Sequence, residues 1–352
     1  MSSDGVVPGV VHGGLDEREL RALGVDPAGV LDLSANLHPA GPSPAVLDAA
    51  RSARLDRYPP ADAAPLREAI AAHEGVPPEW VLPTPGATAA IHLVARALLG
   101  EGERAAVVGP TFGEYESAVR TVRGETVQVT ALAPDFAPPE VLPDGVVDAR
   151  LVFVANPNNP TGAHLGRAEL DRWLRPGRTL VVDAAYEAFV PGAWDAVDLV
   201  RDGADAVVLR SMTKLHAIPG IRLGYVVAAP EVIARLAALQ HSWSLDAAAQ
   251  AAGPVALAEH EARVALLAGV WASRDRMRAA LEDAGVRLGP SRANFLLVEA
   301  GDGPAARLAL LRHGILVRDC TSFGLPSWVR VAIPRAEDEE RVTAALLEVL
   351  AR

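Results

Sequence analysis

Lys214 is the only lysine in a chain of 352 residues, and its amine can perform covalent chemistry that arginine cannot. A guanidinium group stays protonated and is a poor nucleophile, whereas a buried lysine can lose its proton and attack a carbonyl group. Lysine and arginine together number 33, and every one except Lys214 is arginine. The coding bias of a GC-rich genome is one explanation of this excess of arginine. That bias accounts for the missing lysines but not for the retained one, so we expect Lys214 to react covalently.

Other polar residues follow apolar runs of the chain at short, regular spacing. Tyr186 lies three residues after Asp183, which ends the run RTLVVD, and Lys214 lies three residues after Ser211. The amide-rich string NPNNPTG follows the run RLVFVA. If these runs are parallel strands, their carboxyl ends meet at one edge of the sheet, where α/β proteins bind ligands. The side chains expected there are Asn159, Asp183, Tyr186, Ser211, Lys214 and Arg222.

These residue types match the needs of pyridoxal phosphate (PLP), a cofactor that forms a Schiff base with an enzyme amine. Lys214 would supply the amine. Asp183 would keep the ring nitrogen protonated, so that the pyridinium ring acts as an electron sink. Phe112, in PTFGEY, would stack on the ring face.

The phosphate of such a cofactor also finds candidate partners in the sequence. Ser211 and Arg222 would bind it through a hydroxyl and a guanidinium group. The segment TPGATAA (84–90) is expected to turn into a helix, and the backbone N–H groups at a helix N-terminus favour an anion. No metal site is expected.

Taken together, these motifs resemble those of the fold-type I PLP enzymes of the class I/II aminotransferase superfamily. The resemblance implies that Lys214 is the Schiff-base lysine and that Asp183 contacts the ring nitrogen. The further contacts it implies are those of Asn159 and Tyr186 with the ring 3-oxygen, of Ser211, Arg222, Ala87 and Thr88 with the phosphate, and of Arg330 with a substrate carboxylate. Tyr58, in RYPP, resembles the tyrosine that reaches the cofactor phosphate of the neighbouring subunit, which implies a homodimer.

A narrower resemblance, to the threonine-phosphate decarboxylases of cobalamin biosynthesis, extends over almost the whole chain. The segments HGG, LDLSANLHPAGPS and ILVRDCTSFGLPSWVRVAI carry it. It implies that His12, Asn36 and Arg318 form a pocket beside Arg330 for the substrate phosphate or carboxylate. The reaction it implies is PLP-dependent decarboxylation of L-threonine O-3-phosphate, or of a closely related phospho-amino acid; with threonine phosphate the product is (R)-1-amino-2-propanol O-2-phosphate.

Two alternatives to decarboxylation remain open on the sequence. The first is an aminotransferase of the histidinol-phosphate type or of a specialised pathway, because the histidinol-phosphate aminotransferases are close relatives of these decarboxylases. Which bond of the substrate Cα stands perpendicular to the cofactor ring decides between the two reactions, and a sequence does not reveal it. The second is a PLP-binding regulatory module without catalysis, which ranks last because the residue types needed for catalysis are all present.

The order of the apolar segments predicts an α/β fold in which a large, mostly parallel central sheet is flanked by helices. Runs that are apolar throughout suit strands buried on both faces; they occur at 105–109, 125–129, 150–156, 178–185, 205–211 and 223–228. Segments with helical spacing lie between them, at 88–100, 113–124 and 167–175. After a long helical stretch, short strands at 293–299, 314–320 and 327–333 and a final helix suggest a smaller C-terminal α/β domain. The predicted organisation is an N-terminal arm that forms part of the small domain (1–40), a large PLP-binding domain (41–240) and a small C-terminal domain (241–352).

Composition restricts the partners and the compartment that we expect. The chain has 33 basic and 44 acidic residues and a net charge of −11, which argues against nucleic acid and anionic membranes as partners. Cys320 is the single cysteine, so neither an internal disulfide nor a cysteine-based zinc site can form. No run approaches the ~20 apolar residues of a membrane span. We therefore expect a cytoplasmic protein. The resemblances described above imply a small-molecule substrate, an amino acid or a phospho-amino acid.

Overall fold

The computed structural model describes residues 11–350. The strands, numbered in chain order, are β1 (Leu31–Asp32), β2 (Val81–Thr84), β3 (Arg104–Gly109), β4 (Glu125–Thr130), β5 (Leu151–Ala155), β6 (Thr179–Asp183), β7 (Ala206–Ser211), β8 (Gly224–Ala228), β9 (Phe295–Glu299), β10 (Ile315–Leu316), β11 (Arg318–Asp319) and β12 (Trp328–Ala332). The α-helices are α1 (Glu17–Ala22), α2 (Pro44–Arg51), α3 (Ala64–Glu74), α4 (Ala87–Leu98), α5 (Glu114–Thr121), α6 (Arg167–Asp171), α7 (Asp198–Arg201), α8 (Met212–Leu215), α9 (Pro230–Leu239), α10 (Ala247–Ala258), α11 (His260–Ala265), α12 (Leu267–Asp283), α13 (Gly303–Arg312) and α14 (Glu339–Leu350). Short 3-10 helices lie at Pro27–Gly29, Pro78–Trp80, Glu187–Phe189, Thr321–Phe323 and Ala336–Asp338.

A seven-stranded sheet forms the centre of the fold, with the strand order β2-β8-β7-β6-β5-β3-β4. The five strands from β7 to β4 are parallel. Strand β8 pairs antiparallel with β7, and β2 pairs antiparallel with β8, so β8 alone runs against the other six strands of this sheet. Strands β5 and β6 are buried along their whole length, as their unbroken apolar runs predicted. The predicted α/β class with a mostly parallel central sheet is confirmed.

One strand of this sheet, β2, was not predicted from the sequence. Its four residues include Pro83, which cannot donate a backbone hydrogen bond. Such a residue is tolerated because β2 is the edge strand, paired only with β8 within the described sheet. A short run interrupted by proline does not carry the apolar pattern by which the other strands were recognised.

Helices cover both faces of the central sheet. On one face α2 packs on α10, which also contacts α3, and their apolar residues join those of the strands in a single core. On the other face α4 packs against α5, α9 and the strands β7 and β8. The predicted helix at 167–175 is shorter than expected, because α6 ends at Asp171 and the chain reaches a turn at Pro176 and Gly177.

A second core belongs to the smaller, antiparallel sheet β11-β12-β9 and its helices α12, α13 and α14. Strand β1 pairs with β10 in parallel, so part of the N-terminal segment lies beside the C-terminal part of the chain. The predicted single strand at 314–320 is two short strands, since the chain leaves β1 at Leu316 and joins β12 from Arg318. The domain boundaries at residues 40 and 240 stay predictions.

No helix within residues 11–350 combines the length and the apolar character that a membrane crossing requires.

Candidate active site

A cavity of about 610 Å³ lies at the carboxyl edge of the central sheet, between the two cores. It brings together all but one of the residues predicted for the site from the sequence. Those that line it are His12, Asn36, Ala87, Thr88, Phe112, Asn159, Asp183, Tyr186, Ser211, Lys214, Arg222, Arg318 and Arg330. Tyr58 does not line it.

The parallel strands place the polar residues where the chain leaves the sheet. Strand β6 ends at Asp183, and β7 ends at Ser211 and continues directly into α8, which carries Lys214. Arg318 and Arg330 come from β11 and β12 of the smaller sheet. The cavity is therefore built by both sheets, and ligands of α/β proteins bind in this kind of crevice.

The N-terminus of α4 is suited to an anion. Its N-cap residue is Gly86, whose φ of +85° is a left-handed conformation and whose position offers no side chain to cap the helix. A Cβ atom at Gly86 would lie 2.6 Å from Nη2 of Arg222, so the glycine lets this guanidinium approach the helix terminus. Arg222 donates to the carbonyl oxygen of Pro219 at 3.0 Å and forms no ion pair with any carboxylate in residues 11–350.

Two hydroxyl groups complete this anion site. Oγ of Ser211 and Oγ1 of Thr213 lie 2.8 Å apart, and both residues line the cavity. Free backbone N–H groups, an unpaired arginine and hydroxyls are the donors that a phosphate group requires. These residues fit the phosphate of the predicted cofactor, and Thr213 is a candidate that the sequence motifs did not identify.

Asp183 is buried at the bottom of the cavity, with both carboxylate oxygens hydrogen-bonded. Oδ2 accepts a hydrogen bond of 2.8 Å from the hydroxyl of Tyr115, and Oδ1 accepts one of 3.0 Å from the backbone N–H of Ala185. Burial raises the pKa of Asp183, while the Tyr115 and Ala185 hydrogen bonds and the charge of Lys214 oppose that shift. The ammonium nitrogen of Lys214 lies 5.9 Å from the centre of the Tyr186 ring.

Tyr186 and Asn159 connect the cofactor side of the cavity to its arginine side. The hydroxyl of Tyr186 accepts a hydrogen bond of 3.3 Å from Nδ2 of Asn36. Asn159 accepts a close hydrogen bond from Nη1 of Arg330 through Oδ1. Asn36 is buried and its Oδ1 has no partner among the described residues, so it can still accept a hydrogen bond from a ligand.

Arg318 and Arg330 are buried cations without an acidic partner. They are 7% and 4% exposed, and within residues 11–350 both bond only to neutral oxygens. Arg318 donates to Oγ of Ser322 at 2.6 Å and to the carbonyl oxygen of Val11 at 3.0 Å, while Arg330 donates to the carbonyl oxygen of Ser34 at 2.5 Å. Burial lowers the pKa of both guanidinium groups, and the charge of Arg330 lowers the pKa of Arg318 further. A buried unpaired cation is costly, so this arrangement favours an anionic ligand.

His12 belongs to an N-terminal segment that lies along the cavity wall. Its Nε2 is 3.1 Å from Oε1 of the buried Glu114, whose other oxygen is 2.9 Å from Nε2 of His92. The segment is tied to the protein by a 2.8 Å hydrogen bond from the N–H of Gly14 to Oγ of Ser34. It passes so close that a Cβ atom at Gly13 would lie 2.3 Å from the carbonyl oxygen of Ser34.

Tyr58 lies on the surface, away from this cavity. Its side chain is 81% exposed, and its ring centre is 5.0 Å from that of Trp243, which is itself 49% exposed. The contact with the cofactor that the sequence predicted for Tyr58 requires a second subunit, so that prediction stays untested.

Comparison with known proteins agrees with this architecture. The sequence profile of the family described as "Aminotransferase class I and II" matches residues 28–347. The histidinol-phosphate aminotransferase of Symbiobacterium thermophilum is 36% identical over 330 residues, which cover 91% of each chain. Among solved structures, the histidinol-phosphate aminotransferase of Clostridium acetobutylicum has a TM-score of 0.81 at 25% identity and covers 91% of this chain and 99% of its own. The L-threonine-O-3-phosphate decarboxylase of Porphyromonas gingivalis has a TM-score of 0.80 at 27% identity, with the same coverage.

The prediction that the chain is a threonine-phosphate decarboxylase is wrong on this comparison. Curated relatives between 32% and 36% identical are named histidinol-phosphate aminotransferase, whereas the decarboxylase is a structural neighbour at 27% identity. The error has a physical cause. The residues that hold PLP are common to both reactions, and the segments quoted for the decarboxylase supply an anion pocket that suits a phosphorylated substrate of either reaction. The chain belongs to the class I and II aminotransferases and is a PLP-dependent enzyme.

Proposed function

We propose that this enzyme is an aminotransferase that acts on histidinol phosphate or on a closely related phosphorylated amine. The observation that carries the proposal is the pair Arg318 and Arg330, two buried cations without acidic partners in the cavity that also contains Lys214. Two guanidinium groups can bind a phosphate dianion through several charge-assisted hydrogen bonds. The names of the curated relatives support the same substrate class.

The residues of the cavity divide the work between cofactor and substrate. Lys214 binds the cofactor covalently and Asp183 meets its ring nitrogen. The further contacts in this proposal are those of Asn159 and Tyr186 with the ring 3-oxygen, of Phe112 with the ring face, and of Ser211, Arg222, Ala87 and Thr88 with the phosphate. When bound, PLP supplies an electron sink for the substrate carbon next to the amine. Once the substrate amine has displaced it from the cofactor, the free amine of Lys214 would take the proton from that carbon as a general base and would return it, as a general acid, to the carbon of the cofactor that carries the transferred nitrogen.

On the substrate side, Arg318 and Arg330 hold the phosphate of the amine donor, and Asn36 and His12 add polar contacts at the cavity wall. When the amino group acceptor enters, the same arginines hold its carboxylates. Both substrates carry anionic groups, so one pair of arginines serves the two halves of the reaction.

The exposed side chains of Leu55, Tyr58 and Trp243 support a homodimer in which Tyr58 of one subunit reaches the cofactor phosphate of the other. Leu55 is 82% and Tyr58 81% exposed, an apolar surface that a second copy would cover. Mixing subunits tests this directly. Tyr58→Phe lowers cofactor affinity and Lys214→Ala abolishes catalysis, but a mixed dimer contains one site with both residues intact. Activity should therefore return after the two inactive or weakened proteins are unfolded and refolded together; no recovery, or a monomer in sedimentation, contradicts the dimer.

The proposed reaction is tested by amino transfer from histidinol phosphate to 2-oxoglutarate, measured as glutamate formed. Unphosphorylated histidinol is the matched control, and we expect its KM to be at least tenfold higher because it lacks the phosphate that the arginines bind. Lys214→Arg, which keeps the charge but not the nucleophile, should show no turnover. The proposal is contradicted if the cofactor-saturated wild-type protein forms no glutamate with any of the phosphorylated amines tried.

A further inference from the structure

The hydroxyl of Tyr115 is a fixed hydrogen-bond donor to Asp183. Tyr115 is 1% exposed, and its hydroxyl lies 2.8 Å from Oδ2 of the carboxylate. This residue stands in the segment PTFGEY, three positions after Phe112, and had no role in the prediction from the sequence. Both Tyr115 and Asp183 line the cavity at the place where the cofactor ring is expected.

Aromatic contacts hold the Tyr115 ring in one orientation. It stacks on Phe153 of β5 with the ring centres 5.4 Å apart and the planes at 15°. It also meets Phe112 at right angles, with the centres 5.9 Å apart and the planes at 85°. A ring packed on two sides cannot swing its hydroxyl away, so the donor stays aimed at Asp183 whether or not a ligand is bound.

Asp183 needs such a donor because its surroundings favour the neutral carboxylic acid. Burial is the largest influence on this group and raises its pKa, and the Tyr115 hydrogen bond is the first of those that lower it. Tyr115 itself remains protonated, because burial raises the pKa of its phenol well above the ordinary value. The phenol therefore acts only as a donor and stabilises the ionised form of the carboxylate.

The carboxylate retains capacity for a further partner. Oδ1 accepts from the N–H of Ala185 and Oδ2 accepts from Tyr115, but each oxygen of an ionised carboxylate has two acceptor sites. The two bonds together fix the plane of the group on β6. The Asp183 carboxylate is therefore held in one orientation at the cavity wall, where its negative charge can meet a cationic partner.

We propose that Tyr115 is a positioning residue that keeps Asp183 ionised and oriented toward the protonated ring nitrogen of the cofactor. This inference rests on the proposed contact between Asp183 and that nitrogen. Tyr115 touches neither the substrate nor the reacting atoms; it acts on the reaction through the carboxylate. The segment PTFGEY thereby contributes two residues to the cofactor site: Phe112 at the ring face, and Tyr115 as the hydrogen-bond donor to Asp183.

The chain offers a closely matched control for removing this hydroxyl. Tyr225 is also buried, at 4% exposure, and its hydroxyl donates to Oε1 of the buried Glu74 at 2.5 Å. Tyr225 lies on β8 of the same sheet, but neither it nor Glu74 lines the cavity. Tyr115→Phe and Tyr225→Phe thus each remove one oxygen atom and one hydrogen bond to a buried carboxylate.

The test combines cofactor binding with the protonation state of the bound cofactor. PLP is titrated into each cofactor-free variant and followed by its absorbance, and the protonation of the ring nitrogen is read by NMR with 15N-labelled PLP. Tyr115→Phe should weaken PLP binding about tenfold, the effect of losing one charge-assisted hydrogen bond, and should lower the pH at which the ring nitrogen loses its proton. In amino transfer at saturating PLP, kcat should fall while KM changes little. Tyr225→Phe should match the wild type in all of these readouts.

Asp183→Asn separates failure of this inference from failure of the proposed function. If Asp183→Asn binds PLP and protonates the ring nitrogen as the wild type does, the proposed contact of Asp183 is wrong. If Asp183→Asn loses both properties while Tyr115→Phe keeps them, the contact stands and the role of Tyr115 is wrong. Equal losses in Tyr115→Phe and Tyr225→Phe would also overturn the inference, because they would show a general effect on folding.

Discussion

Arg318 and Arg330 are paired residues on neighbouring antiparallel strands, β11 and β12, and both guanidinium groups line the cavity that contains Lys214. Residues that face each other in this way normally avoid carrying the same charge, because like charges directly opposite destabilise a sheet. In the described chain no carboxylate forms an ion pair with either. The arrangement is therefore costly without a ligand and becomes favourable when an anion binds between the two cations.

Arg318→Met should separate stability from substrate binding. Removing one of two neighbouring buried cations should leave the ligand-free protein as stable as the wild type or more so, while KM for the phosphorylated amine rises at least about tenfold. Thermal unfolding and steady-state kinetics measure the two effects. Arg274→Met is the control, since Arg274 is also buried but pairs with Asp275 at 2.9 Å and lies outside the cavity. We expect Arg274→Met to lower the unfolding temperature and leave KM unchanged; the reverse pattern would show that Arg318 is a structural residue.

Glu114→Gln should release the N-terminal segment that carries His12. The carboxylate holds Nε2 of His12 at 3.1 Å, and an amide would attract the imidazole more weakly. Because His12 is half-exposed, we expect KM for the phosphorylated amine to rise by up to about fivefold with little change in kcat. His92→Gln removes the contact with the other oxygen of Glu114 and should have a smaller effect, as His92 does not line the cavity. If Glu114→Gln alters kcat alone, the His12 contact does not serve substrate binding.

Asp183→Asn should stabilise the cofactor-free protein at neutral pH, although it weakens cofactor binding. The pKa of Asp183 is raised in the folded protein, so folding is favoured by its protonation and this contribution is lost as the pH rises through the folded-state pKa. An asparagine carries no charge and avoids this penalty. Thermal unfolding of both proteins without PLP, followed from pH 4 upward, should show the difference in unfolding temperature grow as the pH rises through the folded-state pKa. A variant that is less stable than the wild type throughout would contradict the pKa assignment.

Two buried histidines and the partly buried His260 should make the protein lose stability in mild acid. Burial lowers the pKa of His216 to about 3 and those of His38 and His260 to about 4, and the rings of His216 and His260 are 6.1 Å apart. A lowered folded-state pKa stabilises the protein above the ordinary histidine value and loses this effect as the pH falls toward 4. The unfolding temperature should therefore fall below pH ~6.5, by about a few degrees per pH unit.

A substitution in this cluster checks the assignment. His216→Asn removes the most strongly shifted of the three imidazoles and should make the unfolding temperature depend less on pH between 4 and 6.5. His241→Asn, at an exposed position, should leave the slope as in the wild type. Equal slopes in all three proteins would show that other groups cause the loss of stability in acid.

The sequence predicted the parts of the fold that depend on local pattern. Strands such as β5 and β6 are apolar throughout because both faces are buried, and this pattern can be read without knowing their neighbours. The split between β10 and β11 could not be read in this way, because it depends on which strand each segment pairs with. The edge strand β2 was missed because Pro83 interrupts its short apolar run, and a proline is tolerated there only because the strand lies at the edge of the sheet.

The site shows the same division between local and long-range information. Lys214, Asp183 and Ser211 follow strands at fixed spacing, so their convergence on one edge was predictable from the chain. Tyr115 and Glu114 were not identified, because their partners Asp183 and His12 lie 68 and 102 positions away and the contacts arise only on folding. The predicted reaction failed for a related reason: the motifs indicate which groups hold the cofactor and an anionic substrate, whereas the reaction depends on how the substrate is oriented relative to the cofactor ring.

The central claim is that the enzyme transfers an amino group, and a single half-reaction tests it most directly. Wild-type protein saturated with PLP is mixed with one equivalent of histidinol phosphate, without an amino group acceptor, and the cofactor is then extracted and identified by mass. We predict that the cofactor is recovered in its amine form, that the amine donor becomes a carbonyl compound, and that Lys214→Arg leaves both unchanged. The claim is contradicted if the cofactor is recovered in its aldehyde form and histidinol phosphate is unaltered, while the same protein releases CO₂ from a phospho-amino acid.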